Sequence, residues 1–473
     1  MSKIKSTSTR YMVLSELFRS KGAIIGFSIV ILVSILSVYA VIVYPPSVVT
    51  RIWSDPEYWR DKPVLALPEW YSSLFGLNLP PNIVLDTRKQ DSRILKYTVS
   101  LNEYTEHEIT FTFDYDYDAF PSEINAYVYA KFKKNPLITI TFIRPDGREI
   151  NLWSGTITQN ESFIILSNSP IAKKNVQEYL FNTFGEYVSD PTTEVVLFAV
   201  EKRGMDKPNT AEVLKSAGKS YKIKIRGTFF EKDSSLDVKL IIYGKIWGLL
   251  GTDDRRRDLL IPLMWGAPIA LSFGISLSVI TSLLHMFLGS ISAWFGGTVD
   301  FIIQKITEIY MTVPFLSVLV MISMFYKVNI VVVFVSVVIL SLFGGGVKSS
   351  RALALQLKQQ PFIEAAKVYG ASDFRIVVRY IFFAMAPTLV PGIISSIPGF
   401  VFLEAALAYL GLGDPVLPTW GKTINEANSA GALYNSYWWW ILPPVLMLVL
   451  ISLAFSLIGY SLDKIVNPRL REI

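Results

Sequence analysis

Residues 351–387 read RALALQLKQQPFIEAAKVYGASDFRIVVRYIFFAMAP. Pro361 is placed to open a helix, because a proline in the first turn gives up only an amide that has no helical acceptor. Gly370 suits the left-handed conformation that ends a helix. Ser372 or Asp373 can then cap a second helix starting DFRIVVRY, so the stretch predicts two short helices joined by a tight turn. On the first, Ala365 and Ala366 add almost no bulk while Glu364 and Lys367 carry charge. Another protein can press closely onto such a surface.

The setting of this stretch follows from the chain around it. Of 473 residues, 51% are hydrophobic and 18% charged, against about 25% charged in soluble domains; this is the composition of a membrane protein. Uncharged runs long enough for the roughly 20 residues of a membrane-crossing helix start at 22–44. A basic head precedes that run, as in a signal peptide, but a cleavable apolar region spans only about 7–15 residues, so a retained anchor is expected. After Asp258 the chain stays uncharged to Val299. Pro262 and Pro268 predict a short interfacial helix there, followed by a span at about 269–294. Runs at 309–326 and 328–347, turned at Lys327, predict a hairpin of spans, and 388–411 and 438–460 complete six.

Basic residues in short loops mark the cytoplasmic side. Lys3, Lys5, Arg10, Arg19 and Lys21 lie in segment 1–21. Lys348, Arg351, Lys358, Lys367, Arg375 and Arg379 lie in the loop 348–387, and Lys464, Arg469 and Arg471 in the tail. The alternate connections offer only Lys327 and Lys422. Both termini are therefore expected in the cytoplasm and residues 45–250 outside. The net charge of +6 is explained by this topology and not by a nucleic-acid partner.

The outer segment alternates with the period of two that marks half-buried strands. Examples are EITFTFDYDYD at 108–118 and LITITFIRPDGREINLW at 137–153, with Pro145-Asp146-Gly147 as a turn. YKIKIRGTFFEKDSSLDVKLIIYG at 221–244 reads as a further strand pair. A mainly β domain follows, whose Trp53, Trp59, Trp70 and Trp153 are expected in the core or at the membrane interface. Alternating aspartates in FDYDYD would share one solvated face. Asn160-Glu161-Ser162 is a glycosylation sequon. The domain ends in GTDDRRRD at 251–258, a charge cluster set directly against an apolar helix.

Catalytic chemistry finds little support. The chain has no cysteine, and its two histidines, His107 and His285, are far apart in sequence, which excludes thiol chemistry and zinc motifs of the HExxH kind. GGGVKSS at 344–350 lacks the spacing of a phosphate-binding loop, since Val347 separates the last glycine from Lys348. No metal site and no cofactor of the chain's own are expected.

EAA, three residues, then glycine and, about ten residues on, isoleucine resembles the EAA loop of ABC-importer permeases; here Phe382-Phe383 follow Ile381 where Leu-Pro is usual. FLEAALAYLGLGDPVLPTWGKTINEA at 402–427 and LAFSLIGYSLDKIVNPRL at 453–470 are similar to segments of the dipeptide/oligopeptide/nickel importers, and 251–277 to the pre-helix segment of their C-type subunit. The resemblance implies the type I importer fold: a mainly α polytopic protein of six spans, with a permease core over 251–473 and an added extracellular β domain. It implies a transport role for peptides or oligosaccharides without an ATPase site of its own. Its partners would be a B-type permease, two cytoplasmic ATPases that hold ATP and magnesium, and an extracellular substrate-binding protein, in a lipid bilayer. Glu364, Ala365, Ala366, Gly370, Ser372 and Asp373 would couple to the ATPases. Glu404, the one carboxylate in an apolar span, would line the pathway or meet the partner permease. Gly251, Thr252, Asp253, Arg257 and Asp258 match the pre-helix motif, with Arg256 in place of its glycine. A membrane-anchored receptor acting through the β domain is the alternative.

Overall fold

The computed structural model describes residues 16–466 except 18, 101–103, 206, 208–211, 216–217 and 327–328. The basic residues of segment 1–15, Lys327, Arg469 and Arg471 lie outside this range. Two compact units result: residues 55–259 form one, and residues 1–54 with 260–473 form the other.

The first unit is a sandwich of nine antiparallel strands. They are β1 (Ile83–Asp86), β2 (Ile94–Ser100), β3 (Thr105–Phe113), β4 (Glu123–Lys131), β5 (Leu137–Ile143), β6 (Glu149–Thr156), β7 (Glu161–Ile165), β8 (Tyr221–Phe229) and β9 (Ser235–Tyr243). Their order is β1-β9-β4-β7 in one sheet and β2-β3-β8-β5-β6 in the other. The period-two pattern decides which side faces in: β3 buries Ile109, Phe111 and Phe113, and β8 buries Tyr221, Ile223 and Ile225. The opposite sides carry complementary charge, and the register sets Glu108 across from Arg226, 3.4 Å apart.

Two expectations change here. The 221–244 stretch gives two strands, but they do not pair with each other: β8 joins β3 and β5, while β9 joins β1 and β4. The five residues between them carry the chain from one sheet to the other. FDYDYD is not a strand throughout, since β3 ends at Phe113 and Asp114, Asp116 and Asp118 stand exposed in the loop beyond. The Pro145 turn does join β5 to β6. Beside it, buried Arg144 donates to the carbonyls of Val196, Leu197 and Ala199, satisfying the open C-terminal end of a short helix, Thr193–Phe198.

The second unit is helical: α1 (Lys21–Val43), α2 (Pro46–Ser54), α3 (Leu260–Phe295), α4 (Gly297–Thr312), α5 (Phe315–Phe325), α6 (Ile330–Ser341), α7 (Gly345–Lys358), α8 (Pro361–Val368), α9 (Asp373–Tyr409), α10 (Trp420–Ser429) and α11 (Trp438–Val466). Among the described residues, α1, α3, α9 and α11 are long and apolar enough to cross a membrane, and up to six spans result if each of two bent helix pairs counts as one.

The prolines act less sharply than expected. Pro262 lies in the first turn of α3, where its missing amide has no helical partner anyway, and α3 runs through Pro268 as one helix of 36 residues. Likewise α9 continues through Pro387, Pro391 and Pro398, and α11 through Pro443 and Pro444; each proline removes one backbone bond, which a long packed helix tolerates. The break comes instead at Pro314, where α4 and α5 meet at 78°, inside the run expected as one helix over 309–326. α6 and α7 meet at 48°. The second short helix of the 351–387 stretch does not stand alone: Ile376–Phe382 form a π-helical segment that carries it into the rest of α9, which is how the Phe382-Phe383 departure is accommodated.

Candidate functional site: the coupling segment

α8 starts at Pro361, as its sequence demands, and Gly370 ends its turn with φ +75°. The Ser372 hydroxyl accepts the amide of Arg375 at 3.4 Å, so the serine and not Asp373 caps the next helix. Ile363 joins a core with Met286, Ile376, Val377, Ile381 and Met385, and Ala366 is buried as well. Of the two alanines, then, only Ala365 is left on the surface with Glu364 and Lys367. Val368 and Tyr369 are 86% and 90% exposed and Phe374 69%. Apolar groups at that exposure are costly unless something covers them. Beside them Phe362, Ala365, Tyr369, Arg375 and Tyr380 line a cavity of about 340 Å³.

The inner side of the segment is tied down by a residue that sequence reasoning passed over. Trp294, at the end of α3, donates from Nε1 to Oδ1 of Asp373 at 3.0 Å. Lys367 Nζ stands 4.7 Å from the Trp294 ring centre and Lys358 Nζ 5.5 Å, a cation–π arrangement on both counts. Lys358 also donates to the carbonyls of Ala293 and Trp294, capping the C-terminus of α3 with positive charge where the helix dipole favours it. Arg351 on α7 grips Asp300 on α4 through two bonds of 2.6 and 2.5 Å. α3, α7, α8 and α9 thus meet around one tryptophan. Nothing in the sequence marks Trp294, which lies inside an uncharged run far from residue 373.

Of the glycines of GGGVKSS, Gly344 lies in the bend between α6 and α7, and Gly345 and Gly346 open α7. His285 on α3 bonds the Ser341 carbonyl through Nε2 at 2.7 Å, and Gly346 lies so close that an added Cβ would fall 2.2 Å from His285 Nδ1. Glu404 lies apart from the coupling segment. It is buried within the chain, with its carboxyl hydrogen-bonded to Thr419, the N-cap of α10. Next to it Trp420 donates to the Leu263 carbonyl at 2.8 Å and packs its ring on Gly266.

Gly251, Thr252, Asp253, Arg257 and Asp258 lie in the β unit and close a small hairpin, with Leu259 donating to the Gly251 carbonyl. Asp253 and Arg257 are both buried and bonded at 2.6 Å. Thr252 bonds the Pro63 carbonyl and the Ala66 amide. Arg256 takes the left-handed conformation, φ +66°, in which a side chain is strained; its guanidinium meets Glu123 at 2.5 Å and the Lys62 carbonyl at 2.8 Å. These bonds offset the strain that a glycine would not have. Burial lowers the Lys62 ammonium from its usual value, against the pull of Asp258. Among the described residues no group of three or more acidic or histidine side chains is placed to hold a metal ion.

Residues 285–472 match the family described as binding-protein-dependent transport system inner membrane component. The chain is 26% identical over 223 residues to the dipeptide transport system permease protein DppC of Bacillus subtilis (strain 168), covering 47% of this chain and 69% of that one. It is 29% identical over 234 residues to the oligopeptide transport system permease protein OppC of Lactococcus lactis subsp. cremoris (strain SK11), covering 47% and 75%. To OppC of Escherichia coli (strain K12) it is 30% identical over 220 residues, covering 46% and 72%.

Proposed function

This chain belongs to the dipeptide/oligopeptide family of ABC-importer permeases, and from that premise we propose that it forms half of a peptide pathway driven through α8 by cytoplasmic ATPases. The observation that carries this reading is the two-sided character of the coupling segment. Its outer side presents Val368, Tyr369 and Phe374 uncovered, while its inner side is bonded through Asp373 to the end of α3. Such a segment is built to receive a push and pass it to a helix 36 residues long. Glu364, Ala365, Lys367 and Gly370 shape the receiving surface, and Ala366, Ser372 and Asp373 fix it to the protein.

In this reading α4 with α5, and α6 with α7, are two broken spans, which makes six. The basic residues of the coupling loop set α8 in the cytoplasm with both termini, and the β unit lies outside. A B-type permease completes the pathway, ATP and magnesium are held by the ATPase subunits, and a binding protein delivers substrate. Peptide is favoured over oligosaccharide by the relatives' names. Glu404, buried on Thr419, is better assigned to holding α10 than to contact with substrate.

The test is reconstitution with the partner permease, ATPases and binding protein, followed by ATP hydrolysis with peptides or with oligosaccharides. Tyr369→Glu and Val368→Asp should abolish substrate-stimulated hydrolysis while ligand capture by the binding protein persists. Full stimulation in both variants would remove the coupling assignment, and stimulation by sugars alone would remove the peptide assignment.

A further inference from the structure

In the β unit one short stretch exposes apolar side chains close to the point where the chain leaves the unit. Trp70 and Leu74 on the helix Glu69–Leu74, and Phe75 and Leu77 just beyond it, are 42%, 69%, 59% and 44% exposed; Leu249, alongside, is 62% exposed. The five belong to one surface. Trp70 Nε1 donates to the Leu249 carbonyl at 2.8 Å, and the amides of Glu69 and Gly248 bond across the same junction. The exposed area is on the order of 500 Å², counting aromatic side chains at about 150–250 Å² each; that is the upper range of apolar patches on soluble proteins, where such patches are usually functional. On β3 and β8 the outward positions carry charge, whereas β2 also exposes Leu95, Tyr97 and Val99.

We propose that this patch is a monotopic anchor that seats the β unit in the headgroup and upper acyl region of the outer leaflet. The proposal rests on the reading of α3 as a membrane span. Covalent continuity selects lipid over a protein partner. Leu249 precedes Gly251 by two residues, and the Gly251 carbonyl receives the amide of Leu259, the last residue before α3, at 3.2 Å. At 3.8 Å per residue Leu249 therefore lies within about 15 Å of the point where the chain leaves this unit for its apolar helix. The chemistry also fits an interface: a tryptophan whose N–H is already bonded, ringed by leucines and phenylalanine, is the residue set that settles at the headgroup boundary. Arg255, exposed in the same hairpin, is positioned for lipid phosphate.

The chain has no cysteine, so Leu74→Cys and Phe75→Cys each create a unique site for a nitroxide label on the full chain. The labelled protein is placed in bilayer discs of phosphatidylcholine and phosphatidylglycerol, and collision rates with dissolved oxygen and with a water-soluble nickel chelate are measured by electron paramagnetic resonance. Leu446→Cys, exposed on α11, supplies the lipid reference and Lys222→Cys, exposed on β8, the aqueous one. The expected oxygen-to-nickel ratio at positions 74 and 75 exceeds that at 222 several-fold and approaches that at 446. A ratio equal to that at 222 means water and overturns the anchor, and exclusion of both reagents means a protein cover and overturns it too. If position 446 itself behaves as aqueous, it is the membrane reading that has failed.

Discussion

The indole N–H of Trp294 bonds the carboxylate of Asp373 across 79 residues of sequence, joining the end of α3 to the start of α9 at 3.0 Å. A hydrogen bond to a charged group contributes about 1.5–3 kcal/mol, enough to matter for the proposed transmission from α8 to α3. Trp294→Phe and Asp373→Ala should therefore lower substrate-stimulated ATP hydrolysis roughly tenfold, as about 1.4 kcal/mol corresponds to one decade. Asp373→Asn keeps an acceptor oxygen and should retain most of the activity. Equal losses in the Asn and Ala variants would show that charge, and not this bond, is what counts.

Gly370 has φ +75° and open space where a Cβ would go, so any cost of substitution there is backbone strain alone. Gly370→Ala should cost about 1–2 kcal/mol and Gly370→Asn less, since asparagine tolerates the left-handed region. Co-purification of the ATPases with each variant reports the effect, in the order Gly, Asn, Ala.

Gly346 and His285 form the opposite case, a steric one. Gly346→Ala drives a methyl group to within 2.2 Å of His285 Nδ1, and overpacking of this kind costs about 1–3 kcal/mol. Thermal unfolding in detergent should show a lower Tm for Gly346→Ala, with recovery when His285→Ala is added. A double variant no more stable than the single one would mean that the α6–α7 bend is strained for another reason.

His107 is buried in the β unit between Thr98 and Ser234, and burial lowers its imidazole below the ordinary value of 6.5, helped by Lys96. The unfolded chain thus takes up this proton at a higher pH than the folded one, and stability falls as the proton is bound. The contribution is complete above pH 6.5 and is lost as pH drops from there through the lower folded value. Unfolding of the β unit, followed by near-ultraviolet circular dichroism, should show a slope over that window that His107→Gln removes.

Local signals were legible where one residue's backbone chemistry decides the outcome. Pro361, Gly370 and Ser372 placed the turn between α8 and α9, and the period-two runs placed β3, β5, β6 and β8. Signals that depend on what a segment packs against were not. Proline is an uneven guide to where a long apolar helix ends, because packing can absorb one missing bond, as at Pro268 and Pro398, while Pro314 coincides with a break. Ala366 was read as surface although its neighbours bury it.

The sequence by itself determined that the chain is a membrane protein with a β domain and an EAA-type turn, since apolar run length, strand period and turn residues are properties of short stretches. Only the tertiary structure decided that β8 and β9 part into different sheets, that Arg256 survives a left-handed backbone through Glu123, and that Trp294 holds Asp373. Each of these is a contact between residues distant in the chain, and its energy exists only once folding has brought both partners together.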